Sequence, residues 1–191
     1  MSSFSRNTRR ANSLQRSRAL GAGLALMLMS GAALADRAHQ FVFTAYSDGA
    51  GGADVIAGRY RAALEELKGS PGSMEFDSSA SNTNRCVAYS MTLRWQEARA
   101  ACDAAVRAAK EQQNMTPSWL VWNRGALDEE LALAYANRAV LHWLSHEEVA
   151  AQQDLATARD LAPQADFVAR NVAALEMRAT VAQAAAPAPK S

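Results

Sequence analysis

The chain has 191 residues with 20 basic and 19 acidic side chains, which gives a formal net charge of +1 at pH 7. Five basic residues and no acidic ones lie within positions 1–35, so the rest of the chain carries a formal charge of −4. This balance argues against nucleic acid or an anionic membrane surface as partner, because both attract clustered lysine and arginine. The length favours a single domain after residue 35.

Residues 1–35 are typical of a secretory signal peptide. Several arginines precede an uncharged run from Ala19 to Ala35, and Ala33-Leu34-Ala35 before Asp36 forms an A-x-A cleavage site. The alternative is an uncleaved anchor, although seventeen uncharged residues are few for crossing a bilayer. We therefore expect cleavage after Ala35, export to the periplasm and no stable membrane insertion afterwards.

Residues 36–53 are predicted to form an extended segment followed by a glycine-rich loop. No Gly-Lys-Ser/Thr sequence follows these glycines, so a linker is favoured over a phosphate-binding loop. We expect Phe41, Phe43 and Tyr46 to lie against the first helix hairpin. A partial repeat is predicted at 54–70, where Asp54 is placed to cap a helix that Gly69 and the residues after it end.

A first helix hairpin is predicted at 79–112. Cys86 and Cys102 lie equally far from Arg94, near its turn, so the two side chains are expected at similar heights on facing helices. Paired thiols in an oxidising compartment usually form a disulfide. The alternative is two small core residues, because a buried free cysteine packs like a small hydrophobic residue.

An insertion is predicted at 113–127 and includes Trp119 and Trp122. Buried aromatic side chains are strongly stabilising, so these tryptophans are expected to fill a gap between repeats. The alternative is an exposed platform for a peptide or a glycan.

A second hairpin is predicted at 128–163, where apolar residues recur at helical spacing on both sides of Ser145. Ser145 followed by Glu148 is typical of a capping box, and Pro163 ends the second helix. A capping helix is expected at 164–181. The alanine- and proline-rich residues 182–191 are expected to be a disordered tail.

The hairpins share a register. Ala98 follows Asn84 by fourteen residues, as Ala151 follows Asn137, and Asn171 follows Asn137 by thirty-four. A period of that size is typical of stacked helix hairpins. The chain resembles the tetratricopeptide repeat (TPR) family at this point. The family's aromatic and small positions are filled by Tyr89, Trp95, Ala98, Ala105, Tyr135, Ala139, Ala151 and Ala158. Leu93 and His146 replace the family's usual turn glycines.

The resemblance implies an all-α fold, a right-handed superhelical stack of antiparallel hairpins whose first helices line a concave groove. It implies that groove residues for a protein or peptide are Asn84, Val87, Ser90, Met91, Asn137, Val140, Trp143, Leu144, Arg170 and Asn171. Asparagine amides can hold the backbone of an extended peptide. The alternative is that the three asparagines bond within or between neighbouring helices.

Enzymatic chemistry, a cofactor and a metal site are not expected. The three histidines lack metal-ligand spacing, adjacent glutamates near helix ends fit solvated charge, and no G-x-S-x-G nucleophile motif occurs. We expect an exported adaptor or assembly factor that binds another protein or an extended peptide. The alternatives are a homo-oligomeric envelope component whose groove is filled by its own termini or by another copy, and a glycan- or cell-wall-binding module.

Overall fold

The computed structural model describes residues 41–68, 78–117, 119 and 124–185, all within the unit Arg37–Ser191. This part of the chain is all-helical, with no β-strand, as predicted. Its seven helices are α1 (Gly52–Ile56), α2 (Tyr60–Glu66), α3 (Ser79–Met91), α4 (Trp95–Met115), α5 (Arg124–Leu144), α6 (Glu148–Leu161) and α7 (Asp166–Ala185). The predicted signal peptide, residues 186–191 of the tail and most of the loop before α3 lie outside the described residues.

The helices pack as successive pairs. Turns of three residues join α3 to α4 and α5 to α6, and each of these pairs packs along its length. Helix α5 also contacts α3 and α4, while α7 contacts α5 and α6. The first helices of successive pairs, α3, α5 and α7, are therefore neighbours.

Three apolar clusters form the core. One is formed by residues of α4, α5, α6 and α7, around Ala105, Leu131, Ala139 and Leu155. A second joins α1, α2 and α3, and a third surrounds the two cysteines and Leu141. Fully buried alanines, including Ala98, Ala139, Ala151 and Ala158, leave little side-chain volume between the helices of each pair. Small side chains at these places let the helix axes approach closely, as the sequence pattern predicts.

Seven of the fifteen residues of the predicted insertion at 113–127 belong to the ends of two long helices, α4 and α5. Helices α4 and α5 have 21 residues each, against 13 in α3 and 14 in α6. The extra length lies at one end of the α4–α5 pair, so Asn84 and Asn137 still face the same surface despite their spacing of fifty-three residues. Trp119 is 73% exposed, so its predicted gap-filling role is wrong, and Trp122 lies outside the described residues.

The predicted helix at 54–70 is divided in two. Helix α1 begins at Gly52, so Asp54 lies inside its first turn and does not cap it. Gly58 has a left-handed φ of 74°, which breaks the helix before α2. The Asp54 carboxylate instead accepts a hydrogen bond from Arg59 Nε at 2.7 Å across this break.

Both short turns contain a residue in the left-handed region. Leu93 has a φ of 60° and His146 a φ of 61°, at the two positions where the TPR pattern has glycine. Ser145 donates its amide back into α5, and Glu147, without a side-chain cap, precedes α6. The predicted capping box is therefore wrong, because Ser145 still belongs to the end of the preceding helix.

Replacing His146 with glycine is expected to raise the free energy of unfolding by about 1 kcal/mol, because glycine adopts a positive φ without steric cost. His146 is exposed, so few contacts are lost. Urea unfolding at pH 7 measures the change. His146→Ala is the matched control, since it keeps a Cβ and should gain nothing. An equal gain in both variants would refute the backbone explanation.

The cysteine sulfurs lie 2.02 Å apart, so Cys86 and Cys102 join α3 to α4 through a disulfide. Helix α7 continues to Ala185, four residues past its predicted end. In the parts of the chain that the structure describes, no helix has both the length and the apolarity needed to cross a bilayer.

Candidate functional site

Three buried asparagines lie on the neighbouring helices α3, α5 and α7. Asn84, Asn137 and Asn171 are each at most 1% exposed. In the part of the chain that the structure describes, their carboxamides make no hydrogen bond to a helix. They hold the backbone of the chain's own residues 41–46, a run that we call the N-terminal segment.

Each asparagine side chain makes two hydrogen bonds to one residue of the segment, one to the backbone N–H and one to the backbone carbonyl of that residue; we call this pair of bonds a grip. The segment's N–H donates to the carboxamide Oδ1, and the Nδ2 donates to the segment's carbonyl. The pairs are Val42 with Asn171 at 2.7 and 3.0 Å, Thr44 with Asn137 at 2.9 and 2.7 Å, and Tyr46 with Asn84 at 2.9 and 3.0 Å. Six hydrogen bonds therefore fix three alternate residues.

The spacing follows from elementary backbone geometry. In extended chain, the N–H and C=O of one residue point to the same side, and every second residue repeats that direction about 7 Å further on. Packed helices lie about 8–10 Å apart, a distance that side chains reaching inward can match. Each carboxamide thus acts as a neighbouring strand would. This grip requires a backbone N–H, and it does not depend on the side chain of the gripped residue.

The side chain of Phe41 occupies an aromatic seat between α5 and α7. Its ring centroid lies 5.2 Å from that of Trp143, and the Arg178 guanidinium lies 5.9 Å from each ring. Offset aromatic pairs and cation–π contacts both favour this arrangement. Phe41 also packs on the cluster formed by α4, α5, α6 and α7, so the segment contacts α5 and α7 as well as the first hairpin. Phe43 and Tyr46 lie against the first hairpin as expected, whereas the same expectation for Phe41 is wrong.

Phe43 and Ala45 occupy a second seat, where they pack against the apolar cluster of α1, α2 and α3 that includes Val87 and Ala88. Tyr46 points its ring into the protein, and the described residues offer its buried hydroxyl no hydrogen bond. Burial, followed by the nearby charges of Glu130 and Glu129, raises the pKa of this phenol.

A tight glycine turn carries the chain from the segment into α1. Gly52 donates its amide to the Gly49 carbonyl at 2.9 Å, and Asn84 Nδ2 also reaches the Ala50 carbonyl at 3.1 Å. A Cβ on Gly52 would lie 1.8 Å from the Tyr46 carbonyl oxygen. Only glycine therefore permits the turn to close against the seated segment.

The remaining predicted groove residues divide into three groups. Val140 is buried in the floor, and Ser90 is buried with its hydroxyl donating to the Cys86 carbonyl of its own helix at 2.7 Å. Met91 and Arg170 line a cleft of about 620 Å³ beside the segment, together with Ile56 and Tyr60 of α1 and α2. Leu144 is 44% exposed at the end of α5.

Charged side chains tie the helices together next to this surface. Arg138 follows Asn137 but turns to the other helices, donating to Asp154 of α6 at 2.8 and 2.9 Å and to Asp103 of α4 at 2.9 Å. Glu147 accepts from Arg99 and contacts His142 Nδ1 at 2.6 Å. These contacts fix α5, and with it Asn137, against its neighbours.

Replacing Glu147 with glutamine is expected to lower the urea midpoint at pH 7 and to have no effect near pH 2. Hydrogen bonds from Arg99 and then His142 lower the pKa of Glu147 to about 2. A lowered pKa stabilises the fold above the unfolded pKa, and that stabilisation is lost as the pH falls towards 2. Glu111→Gln, on the exposed surface of α4, is the control. A midpoint difference that stays constant with pH would contradict this account.

The sequence predicted that these asparagines could hold extended backbone, with the chain's own termini as one alternative occupant, but it did not indicate that residues 42–46 are held. The alternation of Phe41, Phe43 and Ala45 with smaller or polar residues was the available signal of an extended run. That pattern carries no information on which helices the run crosses, because Asn171 lies 129 residues from Val42.

The described residues contain no group of three or more histidine, cysteine, aspartate or glutamate side chains placed to hold a metal ion. In comparisons with known proteins, no family model matches the chain, and no curated protein or solved structure is significantly similar to it.

Proposed function

We propose that this protein is an exported, TPR-like scaffold that binds an extended segment of another protein in the groove between α3, α5 and α7. One observation carries this proposal. Three asparagines on equivalent helices form a ladder that grips extended backbone at every second residue.

Other features support a repeat scaffold in an oxidising compartment. The α3–α4 and α5–α6 pairs, followed by α7, match the order of two hairpins and a capping helix. Asn137 and Asn171 recur at the family's period of thirty-four residues. The Cys86–Cys102 disulfide is typical of exported proteins. We propose the periplasm as the compartment, after cleavage of residues 1–35.

Crosslinking in intact cells tests the function. The chain is purified with whatever is attached, and the attached proteins are identified by mass spectrometry. Asn137→Asp is the groove variant, and Val149→Asp, on the exposed surface of α6, is its matched control. We expect a reproducible partner whose recovery falls with Asn137→Asp and persists with Val149→Asp. Equal recovery with both variants would place the partner elsewhere and overturn the proposal.

A second candidate function is self-association. It is favoured by the observation that the groove accepts this chain's own residues 41–46. A second copy carries the same residues, so exchanged segments would make the same hydrogen bonds. Light scattering over a hundredfold range of concentration distinguishes the two. A mass that doubles with concentration supports self-association, and a constant monomer mass rejects it.

A further inference from the structure

We propose that residues 41–46 are an intramolecular pseudo-ligand, which leaves the groove when a partner's peptide of the same chemistry enters. This inference rests on the proposed function. It names the class of peptide and the device that controls access to the site.

The gripped positions define the first part of the ligand's chemistry. Val42, Thr44 and Tyr46 each use both backbone groups, so a competing peptide must be extended and must present an N–H at every second residue. Proline has no such donor and is excluded there. These hydrogen bonds involve only backbone atoms of the segment, so the asparagines do not select the side chains of these residues.

The intervening positions define the second part. The Phe41 seat, built by Trp143 and Arg178, suits an aromatic ring. The second seat holds Phe43 and then the small Ala45 against the cluster of α1, α2 and α3. The expected ligand therefore has an aromatic residue first and third, a small residue fifth and, at the sixth position, a side chain that fills the buried site of the Tyr46 ring. The second and fourth positions accept any residue except proline.

The seated segment must lower the apparent affinity for such a peptide. A short tether gives an attached ligand a millimolar effective concentration. A free peptide binds only the fraction of molecules whose groove is open, and its apparent dissociation constant rises by the inverse of that fraction. Opening the segment without altering the groove should therefore strengthen peptide binding.

Gly52 offers a way to open it. A methyl group there collides with the Tyr46 carbonyl and lies 3.0 Å from Asn84 Nδ2, so it disturbs the end of the groove at Asn84. Its nearest neighbours include no atom of Trp143 or Val87, which lie beside Phe41 and Phe43. Gly125 is the matched control, because a Cβ at this position of α5 meets nothing within 4 Å.

The test titrates a fluorescein-labelled peptide with the sequence of residues 39–45, which ends before the position that the methyl group disturbs, against the full chain, expressed for export and purified. Fluorescence anisotropy measures the binding. We expect Gly52→Ala to bind the peptide at least tenfold more tightly than the unaltered chain or Gly125→Ala. A second peptide with proline in place of Val42 and Thr44 should bind Gly52→Ala at least tenfold more weakly.

Circular dichroism first checks that Gly52→Ala keeps its helices. If it does not fold, Phe41→Ser with Phe43→Ser empties both seats in the attached segment and takes its place. A folded, opened variant that binds no better than the unaltered chain overturns the inference. Should cellular crosslinking still recover a partner that depends on Asn137, the proposed function stands without the pseudo-ligand. If the opened variant binds the peptide no better and crosslinking recovers no partner that depends on Asn137, both the pseudo-ligand and the proposed function are rejected.

Discussion

Replacing Asn137 with aspartate is expected to lower the free energy of unfolding at pH 7 by about 3 kcal/mol, because it leaves a buried charge facing a carbonyl. Asn137 is 1% exposed, and its Nδ2 donates to the Thr44 carbonyl at 2.7 Å. A carboxylate has no proton to donate there.

The deficit should depend on pH. Burial raises the pKa of the introduced carboxyl above its unfolded value, so the folded state holds the proton more tightly than the unfolded chain does. A protonated carboxyl can again donate to Thr44, and the deficit should shrink as the pH falls towards 4. Asn114→Asp, exposed on α4, makes the same change of charge and should stay within about 0.5 kcal/mol of the unaltered chain. Equal urea midpoints for the two variants at pH 7 would show that Asn137 carries no buried contact.

Removing the disulfide has the other large expected effect. Replacing both Cys86 and Cys102 with alanine should lower the free energy of unfolding by about 3 kcal/mol, because a bond across sixteen residues restricts the unfolded chain. Alanine is smaller than cysteine and introduces no clash at these two positions, which are fully buried in a cluster with Ala98, Ala101 and Leu141.

Urea unfolding with and without a reductant measures this effect. In reductant, the unaltered chain should have the same free energy of unfolding as the double-alanine variant. The reductant should not change the free energy of unfolding of that variant. A double-alanine variant as stable as the oxidised chain would mean that the bond adds nothing to stability.

The paired helices could be predicted from the sequence because apolar and small residues recur at helical spacing, as they do from Tyr135 to Leu161. The ends of the helices were harder to predict. Serine is a favoured residue for a helix cap, yet the turn of three residues leaves Ser145 bonded to the preceding helix. Likewise, the break at Gly58 depends on a left-handed backbone that one glycine permits but does not require.

The candidate site was predictable only in part. The register of Asn84, Asn137 and Asn171 placed three amides on one surface, and the structure brings them together. Their partner was not predictable from local patterns, because the bonds to Val42, Thr44 and Tyr46 span 129, 93 and 38 residues. Contacts that distant depend on the packing of all three helices, and no local periodicity encodes them.

Amide hydrogen exchange of residues 42–46, followed by NMR on the full chain, tests the central claim most directly. Carboxamide oxygens accept from the amides of Val42, Thr44 and Tyr46, whereas the described residues offer no acceptor to the amides of Phe43 and Ala45. The account predicts slow exchange at the first three and fast exchange at the other two, with Gly52→Ala abolishing the alternation. Uniformly fast exchange across all five amides in the unaltered chain would contradict the gripped segment and the groove built around it.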